Sequence, residues 1–150
     1  MAATLTSILV HTTFSTKDRE PTIPRDLLPN LFQYMGGVCR DLKSPLLSAG
    51  GMPDHVHLLI SLGKTESIAD VMMHVKRSSS TWMKNARPGL STFAWQDGYF
   101  AFSVGHDAIG AVRKYFLGQE EHHRTRSFQD EVTAFLAKYD VAHDPEHLWK

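Results

Sequence analysis

Pro53-Asp54-His55-Val56-His57-Leu58-Leu59-Ile60 (residues 53–60) is the stretch that decides the fold. Side chains alternate across a strand, so His55 and His57 project from one face while Val56, Leu58, Ile60 and Leu62 line the other. The second set is wholly apolar, as a face packed on helices must be, which predicts a strand over 54–62 with its imidazoles on the open face of a sheet. Pro45 to Met52 predicts a strand before it. Gly50, Gly51 and Pro53 offer the turn or bulge between the two, which should pair antiparallel.

The flanking sequence completes the pattern. Leu5 to Phe14, rich in Thr, Ile, Val and Phe, predicts a first strand. From Arg25 to Leu42, apolar residues at Leu27, Leu28, Leu31, Phe32, Met35, Val38, Cys39 and Leu42 keep the three-and-four spacing of an amphipathic helix. Ile68 to Asn85 repeats that spacing, with Ser67 as a cap near its start. Phe93 to Val104 contains the hairpin signal Asp97-Gly98 and predicts a further strand or a hairpin. Helices are then expected over Asp107–His123 and Phe128–Tyr139. Strand, helix, strand, strand, helix, strand is the ferredoxin-like (RRM-like) α+β arrangement, an antiparallel sheet backed by two helices, here followed by C-terminal helices.

Bulk properties suit one folded domain over residues 1–150, with 42% apolar and 21% charged residues. Sixteen basic residues balance sixteen acidic ones, so a nucleic-acid partner has to be drawn by a local patch and not by net charge. Cys39 is the only cysteine, and the Met-Ala-Ala-Thr start lacks the features of a signal peptide, so a cytoplasmic protein is expected. No stretch is apolar for long enough to span a membrane. Nine histidines are the one compositional oddity, and they direct attention to metal or phosphate chemistry.

Two histidines two apart on a strand can reach one metal ion. Tyr115 and Gln119, four apart on the third helix, lie one above the other and can address one site. Spacing alone leaves plainer readings open: such histidines also hydrogen-bond backbone or solvent, and such a tyrosine also serves as a half-buried core aromatic. Lys76, Arg77 and Lys84 on the second helix, with Arg113, Lys114 and Arg124 further on, are candidate contacts to phosphates.

Together these motifs resemble the small single-tyrosine transposases of bacterial insertion sequences (IS200-like), whose signature is His-hydrophobic-His plus a downstream tyrosine helix. The resemblance runs through His11 to Arg19, Met52 to Leu59, Phe93 to Tyr99, Ala101 to Val104, and Tyr115 to Arg124. It implies that His55, His57 and Gln119 hold a divalent metal, Mg2+ or Mn2+, and that Tyr115 is the nucleophile. It further implies cleavage and rejoining of single-stranded DNA through a 5′-phosphotyrosine, hairpin recognition, and a homodimer whose subunits share active sites through the tyrosine helix. His122 and His123 are alternatives to Gln119, which is preferred because the resemblance names its position. Two other readings are a domesticated, repeat-associated relative and a non-catalytic RNA- or DNA-binding module of the same fold.

Overall fold

This computed structural model describes residues 2–149. Strands β1 (Leu9–Ser15), β2 (Leu46–Met52), β3 (His55–Ser61) and β4 (Phe100–Val104) form one sheet in the order β2-β3-β1-β4, antiparallel at every pairing. Helix α1 (Leu28–Asp41) follows β1 and α2 (Ile68–Ala86) follows β3, giving the ferredoxin-like α+β order. After β4 come α3 (Ile109–Leu117), the single-turn α4 (Gln119–His122) and α5 (Phe128–Lys138).

On one face, Phe14 of β1 and Val56, Leu58 and Ile60 of β3 pack with Leu31, Met35 and Cys39 of α1 and Val71, Met72, Val75 and Met83 of α2. Each large side chain buried in this way contributes about 1.5–3 kcal/mol relative to exposure. The Ser67 hydroxyl accepts from the Asp70 amide at 3.1 Å and caps α2 as its sequence position predicts.

The other face differs from the expectation of an open sheet, because the C-terminal helices cover it. Phe116 of α3 packs on Leu9 and Leu59, and Phe128, Val132 and Leu136 of α5 pack around Phe102. Leu9, Leu59 and Phe102 share this face with the histidines, and leaving them in water would forfeit their burial. A capping box at Ser127 and Asp130 starts α5 at the position that lets it lie there.

Three boundaries also move. β1 begins at Leu9 and not at Leu5, because Leu9 pairs with Ser61 and Val104, the last residues of both neighbouring strands. Phe93 to Tyr99 forms no hairpin: Trp95 makes an isolated bridge to Thr16, and the Lys76 ammonium donates to the carbonyls of Gln96, Asp97 and Gly98 at 2.7, 3.0 and 2.6 Å. One lysine thereby satisfies three carbonyls that strand pairing would have satisfied. The third predicted helix breaks at Gly118, whose N–H returns to the carbonyls of Lys114 and Tyr115.

Gly50 stands opposite His57 on β2, and a Cβ there would lie 2.4 Å from the Phe116 carbonyl oxygen and 2.8 Å from the Phe116 Cβ. Absence of a side chain lets α3 sit directly on the sheet. Gly50→Ala is expected to lose about 1–3 kcal/mol of stability through this overpacking, read as a lower urea midpoint. An unchanged midpoint would show that α3 can ride up at no cost.

Candidate metal and nucleophile site

β3 is a central strand, paired on both sides, and its His55 and His57 are fully buried between the sheet and the C-terminal helices. α5 supplies the group around which they assemble. Glu131 follows Phe128 by three residues and precedes Val132, Phe135 and Leu136, so it occupies a place in the apolar stripe of its helix and is 2% exposed. His57 Nε2 lies 2.8 Å from Glu131 Oε1, and His55 Nε2 lies 3.5 Å from the same oxygen. On the other oxygen converge His122 Nε2 at 3.2 Å, His123 Nε2 at 3.3 Å and Gln119 Nε2, which donates at 3.3 Å. The Tyr115 hydroxyl donates to that oxygen as well.

The structure therefore brings His55, His57, Tyr115 and Gln119 together, although the break at Gly118 separates the tyrosine's helix from the glutamine's turn. Gln119 Oε1 lies 3.0 Å from both His55 Nε2 and His123 Nε2. Sequence reasoning missed Glu131; its signal was a carboxylate inside a helical apolar stripe, where an unpaired charge is not tolerated. His11 and Asp54 were also missed as partners of the two strand histidines. Asp54 Oδ1 sits 2.7 Å from His55 Nδ1, and His11 Nε2 sits 2.8 Å from His57 Nδ1.

Ionisation follows from these contacts. Burial pushes His57 down to about 4 and His11 down to about 3, so both imidazoles are neutral at physiological pH. Burial alone would raise Glu131, but hydrogen bonds from His123 and His57 hold it well below the usual carboxylate range. Burial raises the Tyr115 phenol, and the adjoining Glu131 carboxylate raises it further. At His123 burial is outweighed by the bond to Glu131, and its pKa rises.

These residues fit a divalent ion. One donor atom from each of His55, His57, His123 and Glu131 lies within 4.8 Å of all the others, and a buried neutral imidazole offers the lone pair a metal takes. The carboxylate changes the expected chemistry: a set containing Glu131 offsets part of the ion's charge, unlike the neutral His55-His57-Gln119 set. Cavities flank the buried cluster on two sides. One, of about 250 Å3, is lined by Arg25, Asp54, His123 and Arg126, and another, of about 340 Å3, by His11, Tyr115, Phe135 and Lys138.

Residues 4–119 match the family model described as "Transposase IS200 like". The chain belongs to the IS200-like transposase family. This IS200-like chain is 23% identical over 116 residues to the ISDra2 transposase TnpA of Deinococcus radiodurans, covering 74% of this chain and 83% of that protein. A crystal structure of a candidate transposase from Deinococcus radiodurans shares its fold at a TM-score of 0.62 and 20% identity, over 79% of this chain and 95% of that one. A REP-associated tyrosine transposase solved bound to a REP hairpin aligns at a TM-score of 0.61 and 15% identity, over 96% of this chain and 90% of the other. Helix α5, with Glu131, lies beyond the residues the family model matches.

Of the cations in this IS200-like chain considered for DNA, Lys76 is engaged by three carbonyls. Arg77 and Lys84 are exposed on α2, across the sheet from the cluster. Arg113, Lys114 and Arg124 are exposed on the layer that carries it. Among the described residues, no helix is long and apolar enough to cross a membrane.

His11 and His57 are neutral when folded but titrate near 6.5 when unfolded. Between about pH 6 and pH 4 the unfolded chain therefore binds more protons, and stability must fall as pH falls. Below its unfolded value of 4.5, Glu131 adds the same sign; His123, raised, loses its contribution only as pH climbs through its folded value. For the metal-free protein the expected loss is about 1.4 kcal/mol per pH unit per imidazole, read as a falling urea midpoint. A midpoint level across that window would mean that these rings are charged in the folded state.

Proposed function

We propose that this protein cleaves and rejoins single-stranded DNA, with Tyr115 as nucleophile and a divalent ion, Mn2+ or Mg2+, held by His55 and His57 together with Glu131 or Gln119. The observation that carries this reading is the convergence of a phenol, two strand imidazoles and the Gln119 amide on one buried carboxylate. An imidazole-rich set with a carboxylate favours Mn2+ over Mg2+, which prefers oxygen ligands. When bound, the ion supplies positive charge to polarise the scissile phosphate.

Tyr115 Oη forms the new bond to phosphorus while the bond to the 3′ oxygen breaks, leaving a 5′-phosphotyrosine and a 3′-hydroxyl. The phenol gives up its proton as it attacks, His122 Nε2 at 3.3 Å being a neutral base within reach, and the departing 3′ oxygen takes up one proton in balance. Because burial and Glu131 hold the phenol protonated, a divalent cation held beside the carboxylate would offset that charge and favour the phenolate. A second 3′-hydroxyl reverses the attack and joins new ends without a nucleotide cofactor. Arg25 and Arg126 beside the smaller cavity, with Arg113, Lys114 and Arg124 on the same layer, are the cations best placed for the strand.

Hairpin-forming DNA is the substrate class that the hairpin-bound relative supports. A second reading, a repeat-associated cleaving protein, is favoured by that relative's coverage of 96% of the chain. For the homodimer with exchanged tyrosine helices that the resemblance implies, α3 of one subunit would take the place this chain gives its own.

Incubation with single-stranded hairpin DNA and Mn2+ should yield a denaturation-resistant protein–DNA adduct with the native protein and none with Tyr115→Phe; an adduct of equal yield in the variant would end the proposal. His57→Ala should lower cleavage by at least about 100-fold. Mixing His57→Ala with Tyr115→Phe should restore cleavage only if subunits share sites, and restoration would rule out the arrangement within one chain.

A further inference from the structure

β1 carries an imidazole that the proposed reaction does not use. His11 is 4% exposed, and its Nε2 lies 2.8 Å from His57 Nδ1, while the opposite nitrogen of the His57 ring faces Glu131 at 2.8 Å. The β1–β3 register makes this contact: Thr13 stands opposite His57 and Leu59 opposite His11, so the two histidines are diagonal neighbours on one face. Around His11 stand the rings of Phe102, Phe116 and Phe135 at 6.1, 5.1 and 5.1 Å, and it borders the cavity that Tyr115 and Lys138 also line. A hydrocarbon would fill such a cage without desolvating polar atoms.

We propose that His11 is a positioning residue for the metal ligand His57, holding that ring in the orientation and tautomer that turn its Nε2 lone pair toward the ion. This rests on the metal reading given above. A ligating imidazole uses the lone pair of one nitrogen and carries its proton on the other, and in a site closed to water that N–H needs an acceptor. His55 has one in Asp54 at 2.7 Å. With the ion bound, the acceptor for the His57 Nδ1–H is His11 Nε2, with the His11 proton on Nδ1; without it, the Nε2–H of neutral His57 donates to Glu131 and the His11 Nε2–H donates to His57 Nδ1 in turn. A carboxylate in this place would be an extra charge desolvated among three phenyl rings, whereas a neutral imidazole accepts the bond with no charge to bury. The two strand ligands thus have unlike supports, one anionic at the rim and one neutral in the interior.

Binding of Mn2+ to the metal-free, full-length protein, followed by the paramagnetic resonance of free Mn2+, tests this without reference to DNA cleavage. His11→Leu is expected to weaken Mn2+ binding about 10- to 100-fold, and His11→Gln, whose amide oxygen can accept from His57, to stay within about threefold of native. His11→Phe fills the aromatic cage without an acceptor and carries the comparison if the leucine variant does not fold. Native Mn2+ affinity in a folded His11→Leu or His11→Phe protein overturns the inference. So does equal weakening in the glutamine and acceptor-free variants that tracks their metal-free melting temperatures, since packing alone would do that. If the native protein binds no Mn2+, the metal reading itself falls; if His57→Ala abolishes binding while His11→Leu leaves it intact, only the role of His11 falls.

Discussion

A carboxylate buried as deeply as Glu131 has to be surrounded by donors, because an unpaired charge in a protein interior costs several kcal/mol. That demand organises the C-terminal half of the molecule. It binds α5 to β3 through His57, to the α4 turn through Gln119 and His122, and to α3 through Tyr115. The apolar contacts of Phe116 and Phe128 hold the same elements against the sheet, but they set no unique rotation for α5. A charged group with six partners does, since turning the helix away would strand it.

The opposite face of β3 provides the rigidity this arrangement needs. Val56, Leu58 and Ile60 are fully buried against α1 and α2, and the strand is paired on both edges. Period-two alternation means that the same backbone fixes the imidazoles and the core residues, so the cluster cannot move without disturbing the main core. Gly50 adds the close approach that brings α3, and with it the phenol, onto the histidine face.

In the cluster the same carboxylate oxygen receives the phenol's hydrogen bond and faces two imidazoles. The phenol is consequently at its least reactive while Glu131 is uncompensated, and the proposed nucleophile and the proposed ion site are coupled through one side chain. A ligand set of neutral imidazoles and an amide, as read from the tyrosine-helix motif, has no such coupling. It arises because α5 delivers an acid to a site whose His55, His57, Tyr115 and Gln119 lie within the residues the family model matches, His122 and His123 following just after them.

Local pattern determined much of this protein. His55 and His57 share a face because strands alternate, α1 and α2 announce themselves by three-and-four spacing, and Tyr115 and Gln119 are four apart; all of these are interactions between near neighbours. Only the tertiary structure decided that the imidazoles are enclosed, that Phe93 to Tyr99 is tethered by Lys76 in place of forming a hairpin, and that Glu131 and His11 join the cluster. Those outcomes depend on contacts between residues far apart in the chain, 20 to 22 positions for Lys76 and its carbonyls, 46 for His11–His57 and 74 for His57–Glu131. A residue's own periodicity states which way it points, and the packing of the whole chain states what it meets there.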